Sequence, residues 1–441
     1  MFGNGRNRRG ISSVVTQPRT HPMSDVRPFR AWRPKKELAA EVAAPPYDVL
    51  NSEEAREMAK GHPLSFLHVG KPEIDLPPKT DLHAPEVYAR GAENLRRLVS
   101  EGVLEKDPES CYYAYQQTMG KHVQVGLVAA ASVAEYDSGL IKKHELTRRD
   151  KEDDRTRHVE VLNSQTGPVF LTYRKNPAID AIIESVRREP AWVDFTAPDG
   201  IGHKAWVISD PGRVEGLRRE FGKLACLYVA DGHHRSAAAS RVAANRKAAN
   251  PKHTGQEEYN YFLTVIFPDD QMQILDYNRV VMDLRGMTPE QFLSKVGEMF
   301  TVAPTDTPKP AAARTFGMYL RGKWYRLVAK PGTFPEKDPV GCLDISILQR
   351  NLLAPVLGIE DPRTDKRVDF VGGIRGLKEL EKRVSAGAAV AFALFPTSIR
   401  QLMAIADAGQ IMPPKSTWFE PKLRDGLFIH ALDDRPLGGQ A

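Results

Sequence analysis

A chain that switches from strand to helix at Asp231-Gly232 has few architectures open to it. The apolar run Leu224-Ala-Cys-Leu-Tyr-Val-Ala230 stops there, and His233-His234-Arg235-Ser236 followed by Ala237, Ala238 and Ala239 begins at once. An apolar run bounded by Asp-Gly reads as a buried strand and a tight turn, and the alanines behind it favour a helix. A strand that passes straight into a helix puts the two in adjacent layers, so the expected product is a sheet covered by helices.

The same alternation recurs along the chain. Strand character at 112–118 and 123–136 around Met119-Gly120-Lys121 predicts a β-hairpin with a buried second strand. Strands are expected at 168–173, 205–208, 224–230, 261–267 and 272–277, with helices at 84–100, 177–187, 212–220 and 234–245 between them. Past residue 288 come a helix, strands at 315–320, 324–329 and 389–395, and helices at 345–357, 375–384 and 398–408. The fold class is therefore α/β in the mixed α+β sense, and no repeat suggests a solenoid. Three parts are expected: a disordered basic tail over 1–25, a main α/β body over 26–330 carrying the box at 231–235, and a C-terminal α/β portion over 331–441 that packs on the body.

Charge separates tail from body. Arg6, Arg8, Arg9 and Arg19, with no acid in residues 1–22, supply four of the six net positive charges, so the remaining chain is near neutral at +2. A near-neutral body has no electrostatic footprint for a duplex, so no specific nucleic acid partner is expected and any duplex binding belongs to the tail. Cys111, Cys226 and Cys342 are far apart without C-x-x-C spacing, which argues against a disulfide framework, a thiolate zinc site or an iron–sulfur cluster, and neither haem nor flavin is expected. No apolar run approaches the roughly 18 residues of a membrane span, and no secretory segment is recognisable, so the expected location is the cytoplasm, with no membrane partner. The sequence does not specify an oligomeric state.

Chemistry concentrates at the junction. Open N–H groups and the dipole at a helix start attract anions, and Gly232 lets the main chain approach a ligand closely. Arg235 adds a fork suited to phosphate or carboxylate, while His233 and His234 add donors able to serve as an acid. A plainer alternative makes Asp231 an N-cap and the histidines surface residues. Five polar or flexible residues at one junction favour the ligand site. Adjacent histidines on a helix point about 100° apart, so this pair alone is a poor metal chelate, and the sequence names no metal ligands.

Three other segments bear on the site. Pro45 and Pro46 stiffen the approach to Asp48, which suits a carboxylate base, or equally a cap on the next turn. The dense mixed charge of 142–160 is most simply a solvated face. In 412–422, two prolines precede Lys415, Ser416 and Thr417, which suits phosphate binding or an ordinary surface turn. Neither a P-loop nor the protein-kinase motif set is present.

Taken together, the box Asp231-Gly232-His233-His234-Arg235, the loop Pro45-Pro46-Tyr47-Asp48-Val49, the segment Lys143-His144-Glu145-Leu146-Thr147 with Lys151 and Asp154-Arg155, and Met412-Pro413-Pro414-Lys415-Ser416-Thr417 resemble the bacterial and archaeal domain-of-unknown-function 1015 family, from about Val26 to about Leu432. The box also resembles that of free L-serine kinases, which share a fold with ParB nuclease-like and sulfiredoxin proteins. The resemblance implies a ParB/sulfiredoxin-like core around the strand-box-helix unit, with further sheet and helical elaborations. It implies transfer of a phosphoryl group from ATP, ADP or pyrophosphate to the hydroxyl of free serine or a similar small acceptor, with Mg²⁺ as the cation. His144, Glu145, Lys151 and Arg155 then become candidates for a second carboxylate and for polyphosphate-binding cations. Asp48 is expected to activate the acceptor hydroxyl, because Glu145 stands among Lys142, Lys143, His144, Arg148 and Arg149 and so is expected to stay ionised and salt-bridged, acting on donor or metal affinity. A ParB-type nucleotide-binding switch without turnover and a phosphoester hydrolase or nuclease using the histidines are the alternatives.

Overall fold

The structure, a computed structural model, describes residues 24–439. All but Ser24 and Asp25 of the expected tail therefore lie outside the described residues.

A nine-stranded mixed sheet forms the first unit. Its strands are β1 (Val26–Arg27), β2 (Tyr112–Met119), β3 (His122–Ser132), β4 (Ile141–Lys142), β5 (Val169–Tyr173), β6 (Val193–Thr196), β7 (Gly202–Ile208), β8 (Leu227–Asp231) and β9 (Tyr261–Pro268). They lie in the order β4-β8-β5-β9-β3-β2-β7-β6, with β1 also on β3. The pairs β4/β8 and β5/β9 are parallel, and the other pairs are antiparallel. Because side chains alternate across a strand, the same strands feed two cores. Tyr113, Tyr115, Val128, Ala130, Phe170 and Tyr228 join one, and Tyr112, Ala114, Leu127, Ala129, Leu171 and Val229 join the other. The second core is closed by the helices Pro177–Arg187, Pro211–Phe221 and His233–Ala249, the first two of which start on proline, whose missing N–H costs nothing at that position.

The first core runs on without a break into a six-stranded antiparallel sheet. That sheet is built from β10 (Tyr277–Val281), β11 (Phe300–Pro304), β12 (Thr315–Leu320), β13 (Lys323–Ala329), β14 (Val368–Gly372) and β15 (Val390–Leu394), in the order β11-β13-β12-β15-β10-β14. In β10, Arg279 is paired with Phe370 on one side and Phe392 on the other. Strands from both sides of residue 330 thus belong to one sheet, and the loop at 331–339 is a connection inside it. A surface loop rich in proline and glycine looks the same in sequence whether or not the strands beyond it return.

The hairpin forms as expected, with Gly120 at φ +59°, but its second strand ends at Ser132, whose hydroxyl caps a short helix Val133–Ser138. The charged stretch is not a solvated face throughout. Residues Arg149–Leu162 form a helix that packs against His233–Ala249 and buries Asp154, Thr156 and His158. Its charges are answered locally: Arg155 pairs with Asp154, and Arg241 with Asp153. The C-terminal segment returns over the first unit, where Asp425 and Ala44 exchange backbone hydrogen bonds at 3.0 and 3.1 Å and His430–Ala431 pairs with Ser164–Gln165. No helix among the described residues is long and apolar enough to cross a membrane.

Candidate functional site

The register of β8 against β5 shifts between Val229 and Asp231, a bulge that leaves Ala230 without a partner and sets Asp231 opposite Phe170. Both carboxylate oxygens of Asp231 are then engaged. Oδ1 accepts from the Gly232 N–H at 2.8 Å and Oδ2 from Lys422 Nζ at 2.7 Å. Burial opposes the charge, but the Lys422 ammonium and then Arg235 outweigh it and hold the carboxyl well below the usual range. Asp231 is a clasp between the turn and the C-terminal segment, and neither the N-cap nor a free ligand group. The cap position is Gly232, at φ +92°, with no side chain closing the helix start. The first-turn N–H groups remain available to an anion.

Gly232 cannot be replaced without strain. Its left-handed backbone disfavours any side chain, and a Cβ there would stand 3.4 Å from Val169 Cα. Gly232→Ala is expected to lose about 1–2 kcal/mol of stability, read as a lower urea midpoint at unchanged slope.

The two histidines diverge. His234 stands at the cleft, and its Nε2 accepts the Arg148 N–H at 3.1 Å, which leaves any ring proton on Nδ1. Burial lowers its pKa, so it is a neutral acceptor rather than the acid expected from sequence. His233 turns inward, 5% exposed, against His144, 1% exposed; the rings meet edge to face with centroids 4.4 Å apart. Burial pushes the His144 imidazole down to about 4 and that of His233 well below its ordinary value. Neither lines the cleft. Arg235 is spent largely on the protein: Nη1 donates to the Pro168 carbonyl at 2.9 Å, Nη2 to Asp48 at 3.3 Å, and its guanidinium lies 5.3 Å from the Tyr47 ring centre.

Above the helix start lies a cleft of about 550 Å³. Asp48, Glu145, Arg148, Lys151, Arg155, His234 and Lys415 are among the residues on its walls, so the structure gathers side chains from four separate segments. Arg155 stacks 4.0 Å over Tyr47 and pairs with Asp154. Lys415, at φ +58°, is carried on a loop fastened by the buried Arg279, whose Nη2 donates to the carbonyls of Pro414 and Lys415 at 3.2 and 2.9 Å. Ser416 spends its hydroxyl on the Pro413 carbonyl at 2.5 Å, and neither Ser416 nor Thr417 reaches the cleft wall.

The cations flanking Glu145 in sequence do not surround it in space. Lys142 binds Asp407 at 2.6 Å, Lys143 lies 4.0 Å over Tyr136, and Arg148 binds Asp150 at 2.7 Å. Burial instead raises the Glu145 carboxyl, with Lys415 and Lys422 restraining the rise and Asp231 adding to it. Asp48 is the more exposed of the two, its side chain 43% open against 32%.

Tyr47 and Asp425 were given no role by the sequence, and Lys422 only a share in the cations of its segment. Tyr47 sits inside the Pro-Pro-Tyr-Asp motif and is pushed up to about 12, first by burial. Lys422 belongs to the segment that carries Lys415. Asp425 has no sequence signal: it is buried beside Arg235, Arg155 and Tyr47 at a small cavity, its Oδ1 has no hydrogen-bond partner among the described residues, and burial raises its pKa to about 7. For a metal ion, His144, Glu145 and His233 present ligand atoms within 4.8 Å of one another.

Comparison with solved structures finds partial likenesses. A free serine kinase in complex with AMP aligns at 12% identity and a TM-score of 0.33, over 67% of this chain and 86% of that one. SbnI with C-terminal truncation from Staphylococcus aureus aligns at 12% and 0.35, over 70% and 85%. A conserved hypothetical protein from Pyrococcus furiosus aligns at 13% and 0.33, over 68% and 93%. Likeness at this level does not bear on chemistry, which rests on the residues above. Comparison with curated proteins gives no match. The family described as "Protein of unknown function (DUF1015)" matches residues 26–346, short of the Lys415 loop but including the box, the Asp48 loop and the His144-Glu145 segment, and the chain belongs to that family.

Proposed function

We propose that the protein is a small-molecule kinase that moves a phosphoryl group from a phosphoanhydride donor to the hydroxyl of free L-serine or a similar small acceptor. The observation that carries this reading is the meeting, in one cleft, of an uncapped helix start, the Lys415 ammonium and a carboxyl raised by burial. Phosphoryl transfer needs charge neutralisation, in-line placement and a base for the attacking hydroxyl, and little else from the protein. The first-turn N–H groups, Lys415, Lys151 and Arg155 supply the first. Glu145 is the base, since a carboxyl whose pKa lies nearer neutrality accepts a proton more readily than an ordinary one. Asp48 positions Arg235 and offers its outer oxygen to a cation. Hard oxygen donors of that kind suit Mg²⁺, which would be held by Asp48 and the donor's own phosphates and would neutralise charge on the group in transit.

One experiment tests the reading: free amino acids incubated with ATP, ADP or pyrophosphate and followed by phosphorus NMR. Phosphoserine is expected, with one phosphoanhydride bond lost per product. Donor affinity without turnover would move the assignment to a nucleotide-binding switch, and inorganic phosphate without a phosphorylated amino acid to a hydrolase.

A further inference from the structure

We propose that His144, Glu145 and His233 form a site for one borderline-soft divalent cation of the Zn²⁺ or Co²⁺ kind, lying below the cleft and separate from any Mg²⁺ that accompanies a phosphate donor. The sequence argued against a chelate made by the adjacent His233 and His234, and the structure agrees, since His234 faces the cleft and bonds Arg148. The second imidazole comes instead from His144, on the loop after β4. His144 is 1% exposed and, among the described residues, neither ring nitrogen has a partner at hydrogen-bonding geometry, although the Val229 carbonyl is near enough to favour the charged ring; His233 Nε2, opposite the nitrogen nearest Glu145, is likewise buried and without a partner among the described residues. An imidazole carries a donor or a lone pair at each nitrogen, and leaving these unanswered in the interior is unfavourable. The edge-to-face contact of the two rings could satisfy one N–H on an aromatic face, which leaves the remaining nitrogens unexplained.

The third donor is at hand. Glu145 Oε2 lies 4.0 Å from His233 Nδ1, and one ligand atom from each of the three residues falls within 4.8 Å of the others. Zinc at about 2.0–2.2 Å from its ligands needs them closer than this, so binding draws the three side chains together, the partly exposed Glu145 having more room to move than the two buried rings. Two imidazoles and one carboxylate favour Zn²⁺, Co²⁺ or Ni²⁺ over Mg²⁺ or Ca²⁺, and leave a fourth position open. Lys415 and Lys422 oppose a cation near Glu145, and Asp231 offsets them.

Given the reaction proposed above, occupancy is inhibitory, because a carboxylate bound to a cation does not take the acceptor's proton. Site and reaction are tested separately. The chelator-treated full chain is titrated with Co²⁺, followed by visible absorption, and with Zn²⁺ by equilibrium dialysis. One cation per chain is expected, with the ligand-field bands of a four- or five-coordinate ion. Affinity should drop by more than about 100-fold in His144→Ala and in Glu145→Gln, beyond the loss seen when only an outer-shell partner is removed. Glu145→Gln is an isosteric change at a half-exposed position, so it keeps the test decisive should His144→Ala not fold. Absence of the bands, or wild-type affinity in Glu145→Gln, overturns the site. Phosphoserine formation in a protein that binds no Co²⁺ removes the site and leaves the reaction standing; Co²⁺ binding without turnover upholds the site and removes the reaction.

Discussion

Glu145→Gln is expected to lower kcat for phosphoserine formation by about 10²- to 10⁴-fold, the usual contribution of a positioned general base, with little change in melting temperature. Glutamine keeps the shape of the side chain, so the change removes charge and basicity alone. Burial is the largest influence on this carboxyl and raises its pKa, so the wild-type kcat/KM should fall on the acid side at a pH above the ordinary glutamate range. Lys415 restrains that rise, so Lys415→Met should move the acid limb to still higher pH. Asp48→Asn should act differently. Its carboxylate is exposed and bound to Arg235 at 3.3 Å, so its loss should raise the KM for the donor more than it lowers kcat. Steady-state kinetics of the two variants decide between them: a kcat defect confined to Asp48→Asn would return the base assignment to Asp48, as the prolines before it had led one to expect.

Arg235→Ala is expected to destabilise the protein by about 2–4 kcal/mol and to weaken donor binding. A first-turn residue would ordinarily be exposed and replaceable, but the Arg235 side chain is only 13% open and ties three segments together through Pro168, Asp48 and Tyr47. The loss should depend on pH through Asp425. Burial raises this carboxyl from 3.8 to about 7, and Arg235 is the main influence pulling it back down. Between those values the folded state holds a proton that the unfolded chain has released, so Asp425 makes stability fall as pH rises across that window. Without Arg235 the folded pKa rises further and the window extends upward. Below about pH 5.5 Asp425 is largely protonated with or without Arg235, whereas near pH 8 only the wild type has the cation that accommodates its charge. The deficit of Arg235→Ala should therefore be larger near pH 8 than near pH 5.5, measured by urea unfolding, and the added part should vanish in Arg235→Ala combined with Asp425→Asn. A deficit equal at both pH values would remove Asp425 from this network. Arg235→Lys should not restore stability, because an ammonium cannot span the Pro168 carbonyl and Asp48 at once.

Elements were more legible than environments. The helices Pro85–Ser100 and Pro177–Arg187 and the hairpin around Gly120 follow from proline at the first helical turn, apolar spacing and a glycine at the turn, all local properties. The expected helix at 345–357 is instead Asp344–Leu348 followed by a π-turn at Gln349–Leu353, a change of hydrogen-bond step that composition does not record. Of the four segments singled out for chemistry, all reach the cleft or its floor, yet within them Ser416 and Thr417 turn away while Tyr47 and Lys422 take part.

The order of strand, turn and helix at 227–249 was already settled by Leu224 to Ala239, because an apolar run, a glycine and a set of alanines restrict the backbone wherever the rest of the chain goes. Packing alone settled what those residues do. Asp231 meets Lys422 across 191 positions, and Arg235 meets Asp48 across 187. His144 lies against His233 only because β4 runs beside β8. Whether a carboxylate is a base, a clasp or an ion-pair partner depends on how far it is buried and which charges face it. Local sequence encodes backbone preference over a few residues, whereas burial and charge are sums over neighbours that strand register and core packing bring together from across the whole chain.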